Sequence, residues 1–143
     1  MKNIFIYWLI TVSIVVIVAG IIFALIAPYF FQSIQDIFYH SFNDQSIQNI
    51  NSMDKNHINW IYAVLGGTLA GWGMMILSLS LNLLKDNNKI IWNTILFSVI
   101  TWFVIDTIIT IKYMVVPNLI LNITILLSII IPYIGNTKVT KKT

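Results

Sequence analysis

Asp106 is the one ionisable side chain that stands clearly inside an apolar stretch. It sits in ITWFVIDTIITIK, six residues before Lys112. On a helix that separation sets it about 9 Å in from the segment's end. An acid surrounded by lipid costs free energy, so it should face a polar partner or a cavity. Trp102 and Thr110 fall on its helical stripe. Lys112 is a poor partner on the same helix, because six residues turn it about 240° around the axis. The following apolar segment carries Asn118 and Asn122, one turn apart, with Asn122 at nearly the depth of Asp106. Tyr62 and Asn59, on an earlier segment, reach a similar level. The expectation is a polar cluster of Asp106, Asn118, Asn122, Tyr62 and Asn59. Such a cluster could be a clamp, in which amides and a phenol hydrogen-bond the acid and fix helix register, each bond worth about 0.6–2 kcal/mol. It could instead be a proton- or ligand-binding site.

Other chemistries find no support. No GxSxG and no Ser/His pair occurs in the apolar stretches, which disfavours intramembrane serine hydrolysis. There is no phosphate-binding P-loop. The chain has no cysteine, which excludes disulfides, thiolate metal sites and thiol redox chemistry. His40 and His57 have no HExxH, Cys or Glu companion, so no metal or cofactor is assigned. No catalytic residue is assigned either. Small multidrug transporters also have four helices but rely on a glutamate in the first, where this chain has no acid. Asn122-Ile123-Thr124 matches a glycosylation sequon that should be silent inside a span.

The elements that must position these residues are apolar helices. Of 143 residues, 58% are hydrophobic and 9% charged. Soluble domains carry about 25% charged residues. Mean hydropathy is +0.86. The length suits one domain. Four spans are expected at about 4–27, 59–84, 90–111 and 118–134, each long enough for a bilayer core of about 30 Å. The first is read as a retained helix and not a cleaved signal peptide. Its apolar run is too long for one, and Pro28 follows where cleavage would occur.

Segment 28–57 is the long loop. Phe30, Ile34, Phe38 and Phe42 lie on one helical side within it, opposite Gln32, Gln35, Asp36 and His40. This short amphipathic helix either lies at the interface or continues the first span beyond a kink at Pro28. Asp54 or Asn56 could cap the second span. KDNNK makes spans two and three a hairpin, and 135–143 reads as a basic, frayed tail.

Four of the six glycines lie in the second span. Ala63, Gly66, Ala70 and Gly73 form a narrow groove on a helix, with Gly67 and Gly71 a second small-residue step beside it. In lipid, such residues let a neighbouring backbone approach closely. Ser13, Gly20, Ala24 and Ala27 make a plausible mating stripe on the first span. Trp8, Trp60 and Trp92 fall near span ends, as an interfacial belt would, while Trp72 and Trp102 should pack at depth.

With four spans, both termini and the KDNNK turn share a side. That side has Lys2, Lys85, Lys89, Lys138, Lys141 and Lys142, against Lys55 and Lys112 on the other. The bias predicts both termini in the cytoplasm. The net charge of +3 thus reports topology and not nucleic-acid binding.

Ala70-Gly71-Trp72 in the second span, Trp102 to Asp106 in the third, and Asn118, Asn122 and Pro132 in the fourth carry a resemblance. Over about half its length the chain resembles a broad set of uncharacterised small bacterial four-helix membrane proteins. The resemblance implies that Asp106 and the two asparagines belong together, and it brings no activity with it. The expected protein is an all-α, four-transmembrane-helix bundle of the bacterial inner membrane, in contact with lipids. Its expected role is a non-enzymatic accessory or scaffold subunit, with a protein partner or as a homo-oligomer. The alternative is a small proton-coupled transporter or ligand-binding membrane protein using Asp106, and an enzyme on lipid substrates ranks third.

Overall fold

The computed structural model describes the backbone of residues 2–26 and 52–140, and the side chains of 3–26 and 56–137. The described residues form four helices: α1 (Lys2–Leu25), α2 (Ser52–Lys85), α3 (Lys89–Lys112) and α4 (Val116–Thr140). All four are long and apolar enough to cross a membrane. The protein is an all-α four-transmembrane-helix bundle. The amphipathic segment expected within 28–57, with His40, lies outside the described residues.

The helices outrun their apolar cores. α2 begins at Ser52, so Asp54 and Asn56 lie inside it and do not cap it. α4 continues through Pro132 to Thr140, so the first part of the expected tail is helical. Asn88 caps α3, its side chain accepting from the Ile90 amide at 2.8 Å.

α1 runs along α2 and also touches α4, α3 packs on α4, and α2 meets α3 only lightly. The α1/α2 pair is the tightest contact. A Cβ built at Gly20 would lie 2.5 Å from the Ala70 amide nitrogen and 2.7 Å from the Gly66 carbonyl. One at Gly66 would collide with the Ala24 backbone and lie 2.6 Å from the Gly20 carbonyl. Gly73 approaches Ile17 and Ser13 in the same way. Residue numbers fall on α1 as they rise on α2, so the helices are antiparallel.

The buried positions of α1 are Ile6, Leu9, Ser13, Val16 and Gly20, alternating three and four apart. On α2 the fully buried positions are Gly66, Gly73, Ile76, Ser80 and Leu83. Both follow a seven-residue repeat, the period of a coiled-coil seam. Small residues recur seven apart in the seam: Gly66, Gly73 and Ser80 on α2, and Ser13 and Gly20 on α1. Hydrophobicity gives helices no reason to associate in lipid, so this close backbone approach is what joins the pair. Ser13 and Ser80 donate to the carbonyls of Leu9 and Ile76, so neither hydroxyl is stranded.

Among the described residues, a Cβ at Gly67 or Gly71 meets nothing within 4 Å, so this second small-residue step lies beside the α1/α2 seam and not in it. Ala63 is half-buried.

One core joins all four helices, and it lies toward the end that carries Lys2, Lys85 and Lys89, the basic end. Ile6, Leu9, Ile76, Leu83, Trp92, Ile95, Val99 and Ile129 form it. Trp72 and Trp102 stack beyond it with ring centroids 5.2 Å apart, packed at depth as expected. Toward the opposite end Val16, Gly20 and Gly66 are buried on α1 and α2, and Thr110, Val115 and Asn122 on α3, α4 and the turn between them. A crevice of about 200 Å³ lies between α1 and α4 at Val12, Val15, Val16 and Thr124.

Pro132 creates a demand that α1 meets. Proline has no N–H, so the carbonyl four residues earlier, that of Ser128, loses its helical donor. The Trp8 indole donates to that carbonyl at 2.9 Å. Trp8 is therefore more than the belt residue its position suggested: it ties α1 to the proline break in α4.

Two predictions follow from this packing. Gly66→Ala should destabilise the protein by about 1–3 kcal/mol, because the backbone opposite cannot yield, whereas Gly71→Ala should stay within about 0.5 kcal/mol. Equal effects in thermal unfolding in nanodiscs would refute the seam assignment. Trp8→Phe should cost about 1 kcal/mol, and most of that cost should vanish in a Pro132→Ala background, where Ser128 regains its own donor. Additive losses in the double-mutant cycle would show that the indole serves another purpose.

Candidate functional site

The α3–α4 reversal builds the site. Tyr113 is the C-cap of α3, and Met114 adopts a left-handed φ of 59°. The Val115 amide donates to the Thr110 carbonyl at 3.1 Å, and the Met114 amide to the Ile111 carbonyl at 3.1 Å. This is a Schellman ending, and it satisfies the last carbonyls of α3. Pro117 then enters the first turn of α4, where a missing N–H is harmless. The turn leaves no slack, so it sets the register of the two helices. Thr110 faces Asn118, and one turn deeper Asp106 faces Asn122.

Asp106 Oδ2 is the focus. Asn122 Nδ2 donates to it at 2.6 Å and Asn118 Nδ2 at 2.7 Å. The Thr110 hydroxyl approaches the same oxygen at 3.4 Å. Asn118 Nδ2 also reaches Thr110 Oγ1 at 2.6 Å, and Asn122 Nδ2 approaches Thr107 Oγ1 at 3.4 Å. Asn122 is 1% exposed, while Asp106 and Asn118 are half-buried. Amide-to-carboxylate bonds are charge-assisted, which makes them stronger than neutral ones.

The cluster is thus narrower on one side and wider on the other than expected. Asp106, Asn118 and Asn122 come together. Tyr62 does not join them: its ring packs on Phe23 of α1, with centroids 6.1 Å apart. Asn59 lies on the same helix as Tyr62, α2. That helix makes only light contact with α3. Thr107 joins instead, one residue along α3 and on the side turned to α4. Its hydroxyl beside an intramembrane acid was the available signal.

A second network, at the basic end, had no clear signal in the sequence. The Trp92 indole donates to Asn87 Oδ1 at 2.6 Å, and Asn87 Nδ2 donates to Asn136 Oδ1 at 3.1 Å. The Tyr133 hydroxyl donates to Asn93 Oδ1 at 3.0 Å, and its ring meets the Trp92 ring edge-on. Trp92 is buried, and so leaves the expected interfacial belt. Trp60 is exposed and stands beside the His57 ring. The α3/α4 pair is therefore clipped at both ends, with Ile95, Val99 and Ile129 between.

The oxygens around Asp106 could hold a proton or a hard cation. Among the described residues, no group of three or more His, Cys, Asp or Glu side chains is positioned to bind a metal. Compared with known proteins, the chain matches no family model, no curated protein and no solved structure.

Substituting Asp106→Asn and Asn122→Ala singly and together should reveal a coupling of about 0.6–2 kcal/mol in unfolding free energy. Tyr62→Phe should leave that coupling unchanged. A coupling near zero between Asp106 and Asn122 would mean that the bond contributes nothing to the helix pair.

Proposed function

We propose that this protein is a non-enzymatic accessory or scaffold subunit of a membrane assembly, held in the bacterial inner membrane with both termini in the cytoplasm. The lysine bias supports the orientation: Lys2, Lys85 and Lys89 lie at the end where α1 begins and α2 turns into α3. The observation that carries the role is the bare side of α2. This helix is sealed against α1 but only brushes α3. Among the described residues, nothing lies within 4 Å of a Cβ built at Gly67 or Gly71, and exposed Val64, Leu65, Met74 and Met75 flank that step. A flat, glycine-paired helix face lets another transmembrane helix approach to backbone contact. A helix of a partner subunit, or α2 of a second copy, fits it.

A second reading, a ligand-binding membrane protein using Asp106, is favoured by one observation. Among the described residues, no basic side chain pairs with that carboxylate. Lys112, nearest on α3, is exposed, with its ammonium 5.4 Å from the centre of the Tyr113 ring.

Gentle purification of tagged wild type from native membranes, beside a Gly67→Leu/Gly71→Leu variant, tests the scaffold role. The expected result is a stoichiometric partner, or a second copy, that the variant loses while its own Tm holds. Wild type recovered as a lone monomer would contradict the scaffold role.

A further inference from the structure

We propose that the Asp106 cluster is a binding site for a small monovalent cation, sodium, held between α3 and α4. The proposal rests on the second reading above. Three observations point to it.

The first is an imbalance at the carboxylate. All the hydrogen bonds of Asp106 fall on Oδ2, and among the described residues none reaches Oδ1. The second is Asn122. It is 1% exposed and uses its Nδ2, while among the described residues its side-chain carbonyl oxygen accepts no hydrogen bond. A buried acceptor of that kind normally has a partner. The third is the unneutralised charge. Among the described residues, the side chains gathered at the acid are amides and hydroxyls, and Lys112 is turned away to Tyr113. An intramembrane carboxylate should be paired or neutralised.

The donor set selects the ligand. Carboxylate, two amide carbonyls and two threonine hydroxyls are hard oxygen donors, which suit a hard cation and not a transition metal. A single positive charge cancels that of Asp106. A divalent ion would leave a net charge inside the membrane, and magnesium in particular sheds its water reluctantly.

The asparagines can serve both states. A half-turn of each side-chain amide exchanges Nδ2 for Oδ1 at nearly the same place. In the structure the amide nitrogens grip Oδ2 at 2.6 and 2.7 Å. With sodium bound, the amide oxygens face inward, joined by the Thr107 and Thr110 hydroxyls. The same side chains bridge α3 and α4 in both states, so occupancy strengthens the pair without changing its register. Half-buried Asn118, beside the α3–α4 turn, is the route of entry.

The test uses the full chain in lipid nanodiscs, with tryptophan fluorescence reporting Tm. NaCl is exchanged for choline chloride at constant ionic strength. Sodium should raise Tm saturably, by about 5 °C or more when well above its Kd. Asp106→Asn should abolish the increment, and the near-isosteric Thr107→Val should weaken apparent sodium affinity about tenfold by removing one oxygen. Equal wild-type Tm in sodium and choline would overturn the proposal, as would a full increment in Asp106→Asn. Should Asp106→Asn fail to fold, the wild-type comparison and Thr107→Val still decide. Because the readout is sodium dependence and not partner retention, failure here leaves the scaffold role standing. Sodium-independent capture of a different small molecule at Asp106 would preserve the broader ligand-binding reading while sinking this one.

Discussion

Everything in this bundle depends on how closely α1 and α2 approach at Gly20 and Gly66. The surrounding solvent is as apolar as the side chains, so burying leucine or isoleucine gains almost nothing there. What remains is the contact of backbone with backbone, which operates only at short range. The reciprocal step of Gly20 and Ala24 against Gly66 and Ala70 supplies it. Small residues at every seventh position then carry the contact down the pair.

The α3/α4 pair solves the same problem differently. It has no glycine seam and is instead closed by polar groups at its two ends. Asp106 with its asparagines and threonines closes one, and Asn87, Trp92 and Asn136 the other. A hydrogen bond lost inside lipid has no water to replace it, so a few well-placed bonds can hold long helices in register. The two pairs then join through one apolar core near the basic end and through Trp8, which reaches from α1 to the carbonyl freed by Pro132. Toward the other end Asp106 is half-buried and bonded to α4, while Tyr62 packs on Phe23 of α1.

The two pairs bear on the proposed roles differently. The proposed scaffold contact uses the outward Gly67 and Gly71 of the glycine-sealed pair, whereas the proposed ligand site uses the carboxylate, amides and hydroxyls of the other. The two proposals are therefore compatible on one chain, because they use different helix pairs.

The sequence by itself determined the four spans, the glycine groove of α2 with its mate on α1, and the link of Asp106 to Asn118 and Asn122. These follow from local quantities: apolar length, helical period, and depth measured from a short turn. Only the tertiary structure decided which glycines are buried, since Gly66 and Gly67 differ by one residue and about 100° of rotation. It also decided that Asn122 reaches Thr107 as well as Asp106 while Tyr62 packs on α1, and that Trp8 answers Pro132 across the bundle. Depth can be counted along a chain. The rotation of one helix against another is set by packing, and packing belongs to all four helices at once.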